Sequence, residues 1–79
     1  MRVASEPQPV LGQALRELRE KAGQSQEEAA YGAGIHSTWL SKIENGHNNP
    51  AWGTVMRLLD QVDASLATLA KGIERIELE

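Results

Sequence analysis

Residues 25–46 read SQEEAAYGAGIHSTWLSKIENG. Ser25 followed by Glu28 is a capping box: the serine oxygen accepts from an amide of the first turn while the glutamate reaches back to the serine amide. The helix so opened is short, with Ala29, Ala30 and Ala33 inward, and Gly34 ends it. Three alanines where larger residues usually stand imply that neighbouring helices approach closely. After the turn Gly34-Ile35-His36, a second helix begins at His36 or Ser37, runs to Asn45 and stops at Gly46.

Two short helices joined by a tight glycine-containing turn make a helix-turn-helix by spacing. Placed at 100° intervals, Leu40 and Ile43 of the second helix share one side, flanked by His36 and Glu44. Thr38, Ser41, Lys42 and Asn45 share the other, with Ser37 and Trp39 at its margins. That outer side is small, polar and rich in hydrogen-bonding groups. It suits a helix lying in a DNA major groove, where base edges offer donors, acceptors and thymine methyls. It equally suits the solvated side of any amphipathic helix.

Upstream, Leu11, Ala14, Leu15, Leu18 and Ala22 recur at spacings of three and four, the pattern of a helix with one buried side. Gly23 ends it, and Glu17 and Lys21 are spaced for a weak ion pair. Downstream, His47-Asn48-Asn49 is a loop, and Asn49-Pro50 reads as an N-cap followed by proline at the first helical position. Trp52, Val55, Met56, Leu58, Leu59 and Val62 form a broad apolar stripe, with Asp63 as a helix-ending residue. Ser65 caps a last segment carrying Leu66, Leu69, Ile73 and Ile76; a terminal strand from about Ile73 competes with a helix there, because Ile76 and Leu78 alternate. The expected fold is all-α, with five helices. Residues 1–9 are expected to be a flexible arm, 10–70 the folded domain, and 71–79 a C-terminal extension.

The chain has 79 residues, 41% of them apolar, with no Phe, two Trp and one Tyr, so its single core must be aliphatic. It has no cysteine, which excludes disulfides and thiolate metal sites. His36 and His47 have no carboxylate arrangement around them that suggests a metal, and no metal or cofactor is expected. Nothing resembles a nucleophile with its base or a glycine-rich phosphate loop, so the chain reads as a non-enzyme with no catalytic residues. Apolar runs are only a few residues long and the start lacks an apolar signal core. The expected compartment is therefore the cytoplasm, with no membrane partner. The net charge of −3 leans against nucleic acid, and between Ser25 and Asn49 Lys42 is the only Lys or Arg.

The stretch SQEEAAYGAGIHSTWLSKIENG, followed by NPAWGTVMRLLDQVDASLATL, resembles the lambda-repressor and Cro family of helix-turn-helix domains. The resemblance covers residues from Leu11 to Leu69 and includes Gln26, Ala30, Gly34, Leu40, Ile43, Glu44-Asn45-Gly46, Pro50 and Ser65-Leu66. It implies a compact five-helix domain and sequence-specific binding of double-stranded DNA. By that resemblance Ser37, Thr38 and Lys42 would face base edges. Gln26, His36, Trp39, Asn45, His47 and Asn48 would touch the sugar-phosphate backbone, Gln26 together with amides at its helix N-terminus. For Trp39, filling space under the first helix is an equal alternative. Arg19 and Glu44 would form a structural ion pair between the first and third helices.

His36 stands where the family has a small hydroxyl cap, and Ala29 where it has a larger aliphatic. So weakly charged a domain needs two copies on a palindromic operator to combine their contacts. A homodimer is therefore expected, with Ile73 and Ile76 as its candidate contact, while Leu66 and Leu69 close the core of each copy. Two other functions use the same fold: an antitoxin with a toxin partner, and a module that binds another protein.

Overall fold

The computed structural model describes residues 9–79 and contains five helices and no strand among them: α1 (Pro9–Lys21), α2 (Gln26–Ala33), α3 (Ser37–Glu44), α4 (Trp52–Gln61) and α5 (Leu66–Leu78). Residues 1–8 of the expected N-terminal arm lie outside the described residues; Pro9, the last of that arm, opens α1. The core is aliphatic: Leu15, Leu40, Ile43, Val55, Leu58, Leu59 and Leu69 are buried together with Ala14, Ala29, Ala30 and Ala33. Each large aliphatic removed from water contributes about 1.5–3 kcal/mol before entropy is counted. α1 packs on α3 and α5, and α2 packs on α3 and α4.

Small residues set these distances. Gly12 lies where α1 crosses α3, and a Cβ there would fall 2.9 Å from the carbonyl oxygen of Glu44 and nearer still to that of Ile43. The alanine side of α2 brings it against α4, where a Cβ on Gly32 would overlap the Gln61 side chain. Its last-turn carbonyls have no partner within the helix, and α4 supplies two of the donors. Arg57 Nε donates to Ala33 O at 3.0 Å, and Gln61 Nε2 donates to Gly32 O at 3.1 Å. Gln24 Nε2 in turn donates to Gln61 O at 2.6 Å.

The capping box at α2 is present, with Ser25 Oγ accepting from Glu28 N at 3.0 Å and Glu28 Oε1 accepting from Ser25 N at 2.8 Å. Gly34 ends α2 at φ +75°, a backbone conformation open to glycine and strained for most residues. Ser65 caps α5 by accepting from Thr68 N.

Several expectations are corrected. α3 ends at Glu44, with Asn45 as its C-cap. Pro50 does not open α4; it is buried, and Ala51, in extended backbone, is the N-cap, its carbonyl accepting from Val55 N. Trp52 and Met56 leave the apolar stripe and stand exposed, because α4 turns Val55, Leu58 and Leu59 inward. α4 stops at Gln61, and Asp63 takes a left-handed φ of 55° in the following turn. The chain after Ile73 is helical to Leu78, which excludes the terminal strand. On α5 the inward line is Leu69, Ile73 and Ile76, so Ile73 and Ile76 are half-buried against the chain's own core, while Leu66 stands at the margin, 43% exposed. Glu17 pairs with Arg75 of α5 rather than with Lys21.

Candidate nucleic-acid interface

α3 presents the outer side that its sequence suggests. Thr38, Lys42 and Asn45 are exposed along it, with Ser37 and Ser41 half-buried beside them, and Leu40 and Ile43 point into the core. Trp39 is 41% exposed at the edge of this side, so it does not simply fill space under α1. His36 is the N-cap residue and makes no side-chain capping bond. At the other end, Gly46 N donates to Ile43 O and His47 N donates to Lys42 O, which turns the chain sharply at φ +78° on Gly46. A side chain at Gly46 would overlap Pro9 at the start of α1, so only glycine fits that turn. His47 is exposed and Asn48 half-buried just beyond it.

Beneath this side the helices are tied at one buried point. Arg19 Nε and Nη2 donate to the two carboxylate oxygens of Glu44 at 2.6 and 3.0 Å, a bidentate pair between α1 and α3. Gln26 Nε2, at the start of α2, donates to Glu44 Oε1 at 2.9 Å, and Arg19 Nη1 donates to Gln24 O at 2.7 Å. The hydrogen bond to Glu44 raises the Arg19 pKa further, against the opposing effect of burial. The structure therefore brings Gln26 to Glu44, directly beside Asn45. In this arrangement Gln26 holds the helices together, whatever else its amide does.

The first turn of α2 also carries Glu27 and Glu28, both exposed. The Glu28 carboxyl is held below its ordinary range, first by the Ser25 amide and then by the Ser25 side chain. Lys42 is the one Lys or Arg of residues 25–49, a stretch that also carries Glu27 and Glu28. Sequence reasoning missed Gly12, Gln24, Arg57 and Gln61, which set how α1, α2 and α4 pack around α3. Gly12 carried a usable signal, since a glycine inside a helical apolar pattern marks close approach. No helix of the structure is long and apolar enough to cross a membrane among the described residues.

A family model described as a helix-turn-helix domain matches residues 10–71. The chain belongs to the helix-turn-helix domain family. Within that family its fold is the lambda-repressor-like DNA-binding domain, α2 and α3 forming the helix-turn-helix. Among solved structures, the restriction-modification controller protein C.AhdI from Aeromonas hydrophila is 31% identical, over 77% of this chain and 92% of that one, with a TM-score of 0.73. The clp gene regulator ClgR from C. glutamicum is 24% identical over 84% of this chain and 86% of that one, with a TM-score of 0.80. The wild-type restriction-modification controller protein C.Esp1396I is 18% identical over 90% of this chain and 93% of that one, with a TM-score of 0.82. No curated protein matches the sequence. Two of these three likenesses fall below 25% identity and concern the fold; that with C.AhdI is closer in sequence as well.

Proposed function

We propose that this helix-turn-helix chain is a transcriptional regulator that binds double-stranded DNA as a homodimer, with α3 in the major groove of each half of a palindromic operator. The observation that carries the reading is the outer side of α3: polar, exposed at Thr38, Lys42 and Asn45, and held on a backbone that the Arg19–Glu44–Gln26 network fixes from below. Small side chains at Ser37 and Thr38 let the helix N-terminus enter deeply, and Lys42 one turn later reaches guanine acceptors. Gln26, His36, Trp39, Asn45, His47 and Asn48 contact the backbone on either side, as the resemblance to lambda-repressor-like domains implies. The first-turn amides of α2 left over from the capping box add a neutral phosphate site.

Dimerisation supplies what one weakly charged copy lacks. The margin of α5 with Leu66, Ile73 and Ile76 is the surface we assign to it, and the cytoplasm is the compartment in which such a regulator acts. The likeness to C.AhdI, named as a controller protein, supports a regulatory role. The test is a polarisation titration against a duplex that this chain selects from a random pool. Thr38→Ala and Lys42→Ala each weaken binding by about 1–3 kcal/mol and relax preference at one base pair. Unchanged binding in both variants contradicts the reading, and a response only to polypeptides favours the protein-binding module.

A further inference from the structure

The α3 unit is poor in fixed positive charge but carries both histidines of the chain, one at the N-cap of α3 and one just beyond its last turn. From Ser25 to Asn49 the only Lys or Arg is Lys42, while Glu27 and Glu28 are exposed on α2. Glu44, the third carboxylate of that stretch, is buried against Arg19. His36 caps the start of α3 with an exposed imidazole that makes no capping bond. His47 is exposed beyond the last turn, with its amide fixed on Lys42 O. With both imidazoles protonated, the basic groups of the unit rise from one to three.

We propose that His36 and His47 couple DNA docking to proton uptake, so that the two imidazoles supply most of the positive charge the α3 unit brings to a duplex. The proposal rests on the DNA-docking reading of α3 and adds its regulation by pH. An imidazole is the side chain whose charge ordinarily changes between about pH 5 and about pH 8. An anion brought within ion-pairing distance favours its charged form. Binding therefore tightens as pH falls through the range in which the imidazoles take up protons, and weakens as pH rises through it.

The surroundings leave room for this. His36 shares a shallow groove with Glu27 and Tyr31 of α2 and with Ile35 and Ser37. His47 follows Lys42 in the chain, and the α1 side adjoining this end of α3 presents Arg16, Glu17 and Glu20 beside Glu44 and Asn45. Arg16 is paired with Glu20, Glu17 with Arg75, and Glu44 with Arg19. Among the described residues, neither imidazole has a hydrogen-bonding or ionic partner that docking would have to break. Duplex phosphates add negative charge at both rings beyond what Glu27 sets beside His36.

The experiment is a polarisation titration of the full chain with its selected duplex, from about pH 8 to about pH 5.5, with far-UV dichroism over the same range. Wild type, His36→Gln, His47→Gln and the double variant are compared. Wild-type affinity is expected to rise roughly tenfold for each imidazole engaged, the effect of one pKa unit. Each single variant loses its share, and the double variant shows a flat profile. Calorimetry in two buffers of different ionisation enthalpy shows proton uptake by wild type alone. A flat wild-type profile with DNA binding intact overturns the coupling, as does a double variant that keeps the wild-type pH dependence. Absence of binding at every pH, or binding that Thr38→Ala and Lys42→Ala leave untouched at every pH, overturns the docking reading itself and the coupling with it.

Discussion

Arg19 of α1 and Glu44 of α3 form a buried, bidentate ion pair at 2.6 and 3.0 Å, and Gln26 of α2 adds a third donor to the same carboxylate. Three helices thus meet on one side chain just below the side of α3 that reads DNA in the proposed function. The pair fixes geometry more than it adds net stability, because both charges give up water to form it. Removing one partner is a different matter, since the other charge stays buried and unmatched. Arg19→Met is expected to lower stability by about 3 kcal/mol in urea denaturation. Arg19→Met combined with Glu44→Leu recovers most of that loss. A single variant that loses less than about 1 kcal/mol would show that the pair is not desolvated as the structure has it.

Two glycines in helices give opposite predictions. Gly12→Ala places a methyl against the carbonyl oxygens of Ile43 and Glu44, which belong to backbone and cannot rotate away. It is expected to destabilise by about 1–3 kcal/mol. Gly72→Ala, in α5, places its methyl 3.8 Å from the Ala14 Cβ, an ordinary contact. It is expected to stabilise by about 0.5–1 kcal/mol through helix propensity. Thermal melts of the two variants check the contrast, and equal shifts would deny that α1 and α3 touch at Gly12.

The cap of α2 makes part of the stability depend on pH. Ser25→Ala removes the bond to the Glu28 amide and is expected to cost about 1 kcal/mol. The Glu28 carboxyl is held below its ordinary value of 4.5 by bonds it accepts from the Ser25 amide and side chain. A folded-state pKa below the unfolded one means that this contribution is fully present above about 4.5 and lost as pH falls through the folded value. Glu28→Gln keeps an acceptor at that position and removes the titration. Its stability profile is therefore expected to be flatter than wild type in that acidic window, and parallel profiles would contradict the capping geometry.

How much of this was legible in the residues depends on range. The Ser25–Glu28 box, the Gly34 turn and the Leu40–Ile43 inward pair are set within one or two turns of helix, and local spacing reveals them. The start of α4 was misread because Asn49-Pro50 satisfies the local rule for a helix start, while burial of Pro50 is a tertiary fact. Leu66 and Ile73 exchanged roles for a similar reason: spacing gives the stripe, but only the line of contact with α1 says which of its members is covered. Gln24 on Gln61 O joins residues far apart in the chain through a side chain and a carbonyl, and no periodicity encodes it. The Arg19–Glu44 pair came from family resemblance with support from the helical wheel, and the structure has it. Base and phosphate contacts are not fixed by the fold, since an exposed polar side on a helix is compatible with several partners.

The dimer surface is tested by charge. Leu66→Lys and Ile73→Lys are expected to halve the mass in sedimentation equilibrium while far-UV dichroism keeps its helical shape. Leu66→Lys is the cleaner variant, because Leu66 is exposed and Ile73 is half-buried against its own core. An unchanged mass in both folded variants would remove this margin of α5 from the interface.

Whether α3 docks on DNA is decided by amide shift mapping of the 15N-labelled chain, titrated with its selected duplex. The largest changes are expected on Ser37, Thr38 and Lys42, with smaller ones at Gln26, His47 and Asn48. Changes confined to the α4 and α5 surfaces, or an α3 that stays silent with DNA while responding to a polypeptide, would contradict it.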